Sequence, residues 1–477
     1  MAKITKTLIA ALIVALMLVS LCVTASAEGE TVYTMSELEG KYKTQGRTAL
    51  VGGDLMLEWS ASGVVFKADC SGDVKITVNA RRLGNAANQG IFFTVIVDGK
   101  MQYENIRIPT DNSAESWTSN TTNYPFHITE IGESEFTIAK DLKAGTHTFE
   151  IYKQTEAIST AFGIKSITLN GEITAPPKDN KLYIEFVGDS IAAGLGNIST
   201  GGQNAPLYQD ATRGWPYLTA KALSADFSVL AQSGITATEG MGWSGANSVT
   251  MPDVYPKVRY YSDKRTEYDF AREPDIIVVC LGTNDIWTYE KSGVTLARVE
   301  RGFKEMLTLL RNKNPNAKIV WVHGMMTDQT DKLVTAAVKD MGGSEKGFYS
   351  LGLPKNVNGG QGHPSLSAQT VYTNNLVDFI EIEILKTKKP SEESDADTSS
   401  ETSTSSSNTS SNVITMPQTS TPTTGDNQEN ILTDEGDGYS NPYLIIIPII
   451  VAAILLAAGG IVIAVVIKRK NQKIRKE

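Results

Sequence analysis

The run Ile276-Ile277-Val278-Val279, followed by Cys280-Leu281, constrains this chain more than any other stretch. Four successive β-branched aliphatics leave no polar face. As a strand they must be covered on both sides, which is the situation of a parallel sheet between two layers of helix. The strand-like segment Asp275–Leu281 precedes an amphipathic stretch, Ala297–Arg311, and the same alternation recurs on both sides of it. Apolar runs at Leu182–Val187, Phe227–Leu230 and Lys318–Val322 alternate with helical periodicity near Pro216–Leu223, Lys332–Met341 and Ser365–Leu385. This pattern predicts a three-layer α/β domain over residues 181–386.

The preceding segment, residues 28–176, has a different period. Val64-Val65-Phe66, Val74–Val78, Ile91–Val97, Phe136–Ile138 and Thr148–Tyr152 are short and rich in β-branched and aromatic residues. Turn signals stand between them at Ser71-Gly72-Asp73, Asp98-Gly99-Lys100, Lys143-Ala144-Gly145 and Asn170-Gly171. The expectation is an all-β domain, a β-sandwich of jelly-roll type, ending at Ala175-Pro176-Pro177.

Both ends of the chain depart from globular patterning. Lys3 and Lys6 precede the apolar run Leu8–Val23 and then Ala25-Ser26-Ala27, so residues 1–27 read as a secretory signal peptide. Residues 387–442 are dominated by Ser, Thr, Asn, Asp and Glu and bury too little apolar surface to fold, which makes them a linker. Residues 443–467 carry no charge and are long enough to span a bilayer as a helix. The basic tail, residues 468–477, begins Lys468-Arg469-Lys470 and keeps that end cytoplasmic. The expectation is therefore an extracellular protein with a single C-terminal membrane anchor. The anchor and a partial wall-sorting motif at Thr421–Gly425 suggest a Gram-positive cell surface.

The net charge of −9 argues against a nucleic-acid partner, which calls for a basic stripe. Of the three Cys, Cys22 falls in the leader, so Cys70 and Cys280 are too few for a disulfide-stapled fold. Whether those two pair is open. A monomer is the default.

In a parallel sheet, ligands sit beyond the carboxyl ends of the strands. Four short motifs stand there or at a helix start. Gly188-Asp189-Ser190 closes the first strand and places a Ser hydroxyl on a tight turn, although Asp and Ser are also common helix caps. Ser233-Gly234 follows the second strand, where a Gly allows a backbone N–H to approach an oxyanion. Gly282-Thr283-Asn284-Asp285 closes the third and offers an amide donor. Gly362-His363-Pro364-Ser365 opens the last helix and supplies a loop His suited to general-base work. Each alone is compatible with an ordinary turn or cap. Their order, with three at successive strand ends, is far more specific.

Lys181–Leu385 thereby resembles an SGNH hydrolase. The resemblance implies that Ser190 is the nucleophile and His363 its base. It also implies that the amides of Ser190 and Gly234 and the side chain of Asn284 form an oxyanion hole. The β domain in front, with Trp321-Val322-His323-Gly324-Met325-Met326 and Gly362–Ser365, is similar to carbohydrate esterase family 2. That family implies removal of acetyl groups from polysaccharides such as xylan and mannans through an acetyl-serine, with no metal and no other cofactor. One departure stands out. Most SGNH hydrolases carry an Asp two or three residues before the His, and here those positions are Gln361 and Gly360. The expectation is a Ser–His dyad, with the imidazole oriented by a carbonyl of the Gly359–Gly362 loop or by Gln361.

Trp287, Trp243 and Trp215 lie near these motifs and are candidate walls for sugar rings or partly buried structural residues. The motifs fix acyl chemistry and leave the alcohol open, so a lipid or peptidoglycan acetyl ester is an alternative substrate. The missing Asp also motivates a different class, a glycan-binding surface protein with a decayed site.

Overall fold

The computed structural model describes residues 29–83, 90–104, 124–158, 160–199 and 208–389. The expected leader, the membrane segment 443–467, the basic tail 468–477 and all but the first three residues of the linker lie outside these. Among the described residues no helix is long and apolar enough to cross a membrane. The chain divides into two units, Met1–Met416 and Pro417–Glu477, and every described residue belongs to the first.

Five parallel strands, Tyr183–Gly188, Asp226–Ala231, Ile276–Cys280, Lys318–His323 and Phe348–Gly352, form one sheet in the order 2-1-3-4-5. Alternate residues point to opposite faces, and helices cover both. On one face Phe186, Val278 and Val320 pack under Trp215, Tyr372 and Leu376 from helices Trp215–Ala222 and Leu366–Phe379. On the other, Val187, Ile277, Val279 and Trp321 pack under Phe303, Met306, Leu307 and Val334 from helices Leu296–Lys313 and Asp331–Asp340. The predicted three-layer arrangement is present, and each such fully buried side chain contributes roughly 1.5–3 kcal/mol.

The fifth strand, Phe348–Gly352, has no counterpart in the sequence prediction. Its residues Phe-Tyr-Ser-Leu-Gly are mostly half-buried because it lies at a sheet edge, so it lacks the continuous aliphatic run of its neighbours.

The N-terminal domain is an antiparallel sheet of ten strands. Three of the four expected turns are not turns. Ser71-Gly72-Asp73 lies inside one strand, Gly63–Leu83, at register shifts against Gly132–Lys153. Lys143-Ala144-Gly145 lies inside Gly132–Lys153, and Asn170-Gly171 lies inside Thr160–Ile173 at another shift. These are bulges, which bend and twist long strands without ending them. Glycine and small polar residues serve a bulge as well as a turn, so local sequence does not separate the two. Asp98-Gly99 alone closes a hairpin: Val97 pairs with Lys100, and φ is +50° and +76° at the two loop residues. Strand residues Val64, Phe66, Ala68, Val74, Ile76 and Val78 all enter one core with Phe93, Phe149 and Ile164, so the bent sheet wraps around it. The strands form one hydrogen-bonded antiparallel network.

The two domains share buried contacts. Arg47 of the N-terminal sheet donates to both carboxylate oxygens of Glu185 in the first parallel strand, at 3.3 and 3.1 Å, and both side chains are buried. Gly46 N–H donates to the Phe227 carbonyl at the edge of the parallel sheet, 2.8 Å. Cys70 and Cys280 lie in different domains as buried free thiols and form no disulfide.

Candidate active site

In the order 2-1-3-4-5 the chain leaves the first strand on one side, returns, and continues on the other. That leaves a crevice beyond the carboxyl ends of the first and third strands. The first strand passes through Gly188 into a helical turn, Ser190–Ala193, capped by Asp189, whose Oδ1 accepts the Ile191 N–H at 2.9 Å. A Cβ at Gly188 would lie 2.5 Å from that of Ala192, so the turn closes this tightly only with Gly there.

Ser190 and His363 meet, although 173 residues separate them: Oγ lies 2.7 Å from Nε2. His363 Nδ1 is 3.2 Å from the carbonyl oxygens of both Gly360 and Gln361. Carbonyls only accept, so Nδ1 carries the proton, and Nε2 presents its lone pair to the Ser190 hydroxyl. Of the two orienting groups expected at Nδ1, the backbone carbonyls occupy it. Gln361 takes up left-handed backbone, φ +49° and ψ +40°, to aim its carbonyl inward. The cage is tied back across the crevice, because Gly360 N–H donates to the Gly196 carbonyl at 2.9 Å, and Gly359 N–H to that of His363 at 2.7 Å. Burial lowers the His363 pKa below 6.5, and the two carbonyls partly offset this.

The Ser233-Gly234 turn follows Gln232, whose N–H donates to the Gly188 carbonyl at 3.2 Å at the end of the first strand. Gly234 has φ +78°, and a Cβ there would meet Trp243 Cδ1 at 3.2 Å. Among the described residues the N–H groups of Ser190 and Gly234 donate to no protein acceptor. Asn284 Nδ2 donates to the Ile235 carbonyl at 3.0 Å and to Asp189 Oδ2 at 3.3 Å, while its Oδ1 accepts from Trp243 Nε1 at 2.9 Å. The longer bond to Asp189 is the one that must yield for this amide to serve an oxyanion. Asp285 accepts the Ala237 and Thr238 N–H groups at 3.0 and 2.9 Å and so fixes the far end of the Gly234 loop. Burial pushes Asp189 up to about 7 and Asp285 up to about 6.

The three tryptophans separate. Trp243 and Trp287 are 48% and 44% exposed beside the crevice motifs. Trp215 is 0% exposed and packs edge-on against Phe186 at 5.6 Å, so it is core and forms no subsite wall. It is the first residue of helix Trp215–Ala222. Among the described residues no group of three or more His, Cys, Asp or Glu is placed to hold a metal ion.

Sequence reasoning missed three participants in this geometry. Asp189 and Asp285 stood in quoted motifs without a role. Trp243 was read for its ring and not for its N–H, and nothing local shows that the N–H lies against Asn284.

The fold and the Ser190–His363 pair are the arrangement a serine hydrolase needs, and residues 186–347 match the GDSL-like Lipase/Acylhydrolase family. More closely, the chain resembles GDSL/SGNH hydrolases related to carbohydrate esterase family 2 that carry an N-terminal sheet domain. It is 29% identical over 231 residues to the cellulase/esterase CelE of Acetivibrio thermocellus, spanning 45% of this chain and 27% of that protein. It is 28% identical over 171 residues to the acetylxylan esterase/glucomannan deacetylase of Cellvibrio japonicus, spanning 34% of this chain and 46% of that protein. The chain thus spans less than half the length of either relative. In fold it is similar to a family two carbohydrate esterase from Clostridium thermocellum solved with cellohexaose, TM-score 0.60 at 23% identity, covering 72% of this chain and 99% of that one. It is also similar to the acetyl xylan esterase Est2A of the rumen bacterium Butyrivibrio proteoclasticus, TM-score 0.63 at 21% identity, covering 74% and 98%.

Proposed function

We propose that this protein is an esterase that removes O-acetyl groups from polysaccharides such as xylan or glucomannan through an acetyl-serine. The observation that carries the reading is the 2.7 Å contact between Ser190 Oγ and a His363 whose Nδ1 proton is held by two carbonyls. Ser190 Oγ attacks the acetyl carbon as Nε2 takes its proton. The oxyanion is met by the N–H groups of Ser190 and Gly234 and by Asn284 Nδ2. Collapse breaks the ester bond, and His363 returns the proton to the departing sugar oxygen. Water then attacks the acetyl-serine with His363 again as base, releasing acetate. The carbonyl cage orients the imidazole but adds no negative charge beside it, so it does part of what a buried Asp does.

The glycan substrate is supported by the relatives' activities and by two exposed indoles beside the crevice, a surface suited to sugar rings. We also place the enzyme at the outer face of a membrane, held by residues 443–467; this rests on the uncharged run and the basic residues after it. Fractionation of cells expressing the full chain checks it, with recovery in the soluble fraction as the opposing result.

Acetate release by the full chain from acetylated xylan, acetylated glucomannan and an aryl acetate tests the function. The expected result is release from a glycan, abolished in Ser190→Ala. Turnover of aryl acetate alone would move the substrate to another acyl ester, such as a lipid or peptidoglycan acetyl. No turnover would leave a binding protein.

A further inference from the structure

A carboxylate from the N-terminal sheet domain ends on the loop that carries Gly234. Glu156 follows strand Gly132–Lys153 and is buried. Ser233 donates its N–H to Glu156 Oε2 at 2.6 Å and its hydroxyl to Oε1 at 2.9 Å. Both carboxylate oxygens are therefore engaged by the residue directly before Gly234. Nothing in the sequence signals this, since 77 residues separate the partners and they belong to different domains.

The segment holding Glu156 is itself fixed. Lys153, fully buried, donates from Nζ to the carbonyls of Thr155 and Glu156, at 2.5 and 3.0 Å. Glu156 N–H donates to Gln209 Oε1 at 3.2 Å, and Gln209 Nε2 donates to the Ala193 carbonyl at 2.7 Å, at the end of the turn that begins with Ser190. One short piece of the sheet domain is thus bonded toward both the nucleophile turn and the Gly234 loop. Burial raises the Glu156 pKa and lowers that of Lys153 well below its ordinary value, so holding these groups inside is costly. What Glu156 gains there is its two bonds to Ser233.

Gly234 has no side chain to limit its backbone, and the direction of its N–H depends on what grips its neighbours. Asp285 grips Ala237 and Thr238 on one side, and Glu156 grips Ser233 on the other. We infer that Glu156 is a positioning residue for ester hydrolysis: it aims the Gly234 N–H at the oxyanion, and the sheet domain is thereby part of the catalytic centre. The inference rests on the proposed roles of Ser190 and Gly234.

The test uses the full chain with an aryl acetate, which needs no glycan contact. Wild-type turnover abolished by Ser190→Ala is established first; its absence would overturn the proposed function itself rather than this inference. Given that turnover, Glu156→Ala should lower kcat roughly 10²-fold with KM within about threefold, because the misdirected donor matters only once charge develops. The acid limb of the pH profile, set by His363, should stay where it is. Glu156→Gln, whose amide oxygen still accepts the Ser233 N–H, should recover most of kcat. Ser233→Ala, which removes only the hydroxyl bond, should lose less than Glu156→Ala and decides the matter if the latter does not fold. A folded Glu156→Ala with wild-type kcat, or a loss that only tracks the fraction unfolded in thermal melts, would overturn the inference.

Discussion

Trp243 Nε1 donates a hydrogen bond to Asn284 Oδ1 at 2.9 Å. An indole N–H only donates, so this bond fixes which end of the Asn284 amide faces inward. The Nδ2 end is left toward Ile235, Asp189 and the crevice. Trp243→Phe keeps a ring over Gly234 and removes the bond. The expected outcome is a kcat on aryl acetate lower by roughly fivefold to tenfold, the worth of one neutral hydrogen bond, with KM little changed. Steady-state kinetics checks it; an unchanged kcat would mean that the amide keeps its orientation without Trp243.

Gly196 has φ +65°, and a Cβ there would lie 2.7 Å from the Gly360 carbonyl oxygen. The added atom must push the loop that carries the carbonyl cage of His363. Gly196→Ala should therefore reduce kcat on the order of 10²-fold, as misplacement by about 1 Å does. Circular dichroism should show the fold retained. Full activity in this variant would separate the Gly196 contact from the placing of His363.

Only neutral His363 can take the Ser190 proton, and burial holds its pKa below 6.5. The base is therefore neutral at pH 6.5 and above and is lost as pH falls through the lowered value. The profile of kcat/KM for aryl acetate should show its acidic midpoint below 6.5. A midpoint above 6.5 would point to an anionic group beside the ring, of the kind the carbonyl cage replaces.

Trp215 and Trp287 should behave as opposites. Trp215→Ala empties a site at the heart of the core and should destabilise by about 3–5 kcal/mol in denaturant melts. Trp287→Ala removes an exposed ring and should leave stability within about 0.5 kcal/mol while raising KM for acetylated glycan. Equal effects on stability would refute the assignment of Trp215 to the core and Trp287 to the crevice.

Arg47 and Glu185 form a buried pair across the two domains. Arg47→Ala strands the carboxylate and should cost about 3–5 kcal/mol. Because the pair joins the domains, calorimetry should show one transition moving as a whole. A separate early transition for the sheet domain would mean that the two fold independently.

The sequence by itself determined the layers, the strand ends and the four groups that meet in the crevice. Buried parallel strands need unbroken aliphatic runs, and a ligand site at their ends puts motifs at predictable positions, so Ser190, Gly234, Asn284 and His363 were legible together. Only the tertiary structure decided what orients them. The Nδ1 partner of His363 is backbone, which every residue type supplies, so neither Gly360 nor Gln361 announces it. Glycine-bearing bulges in the N-terminal sheet looked like turns because both need the same local backbone freedom, and the choice between them is made by pairing with distant strands. Trp215 and Trp243 sit in similar local sequence, yet one is sealed under the sheet and the other holds Asn284. The bond from Glu156 to Ser233 has no local trace at all, because two domains must pack before either residue has a partner.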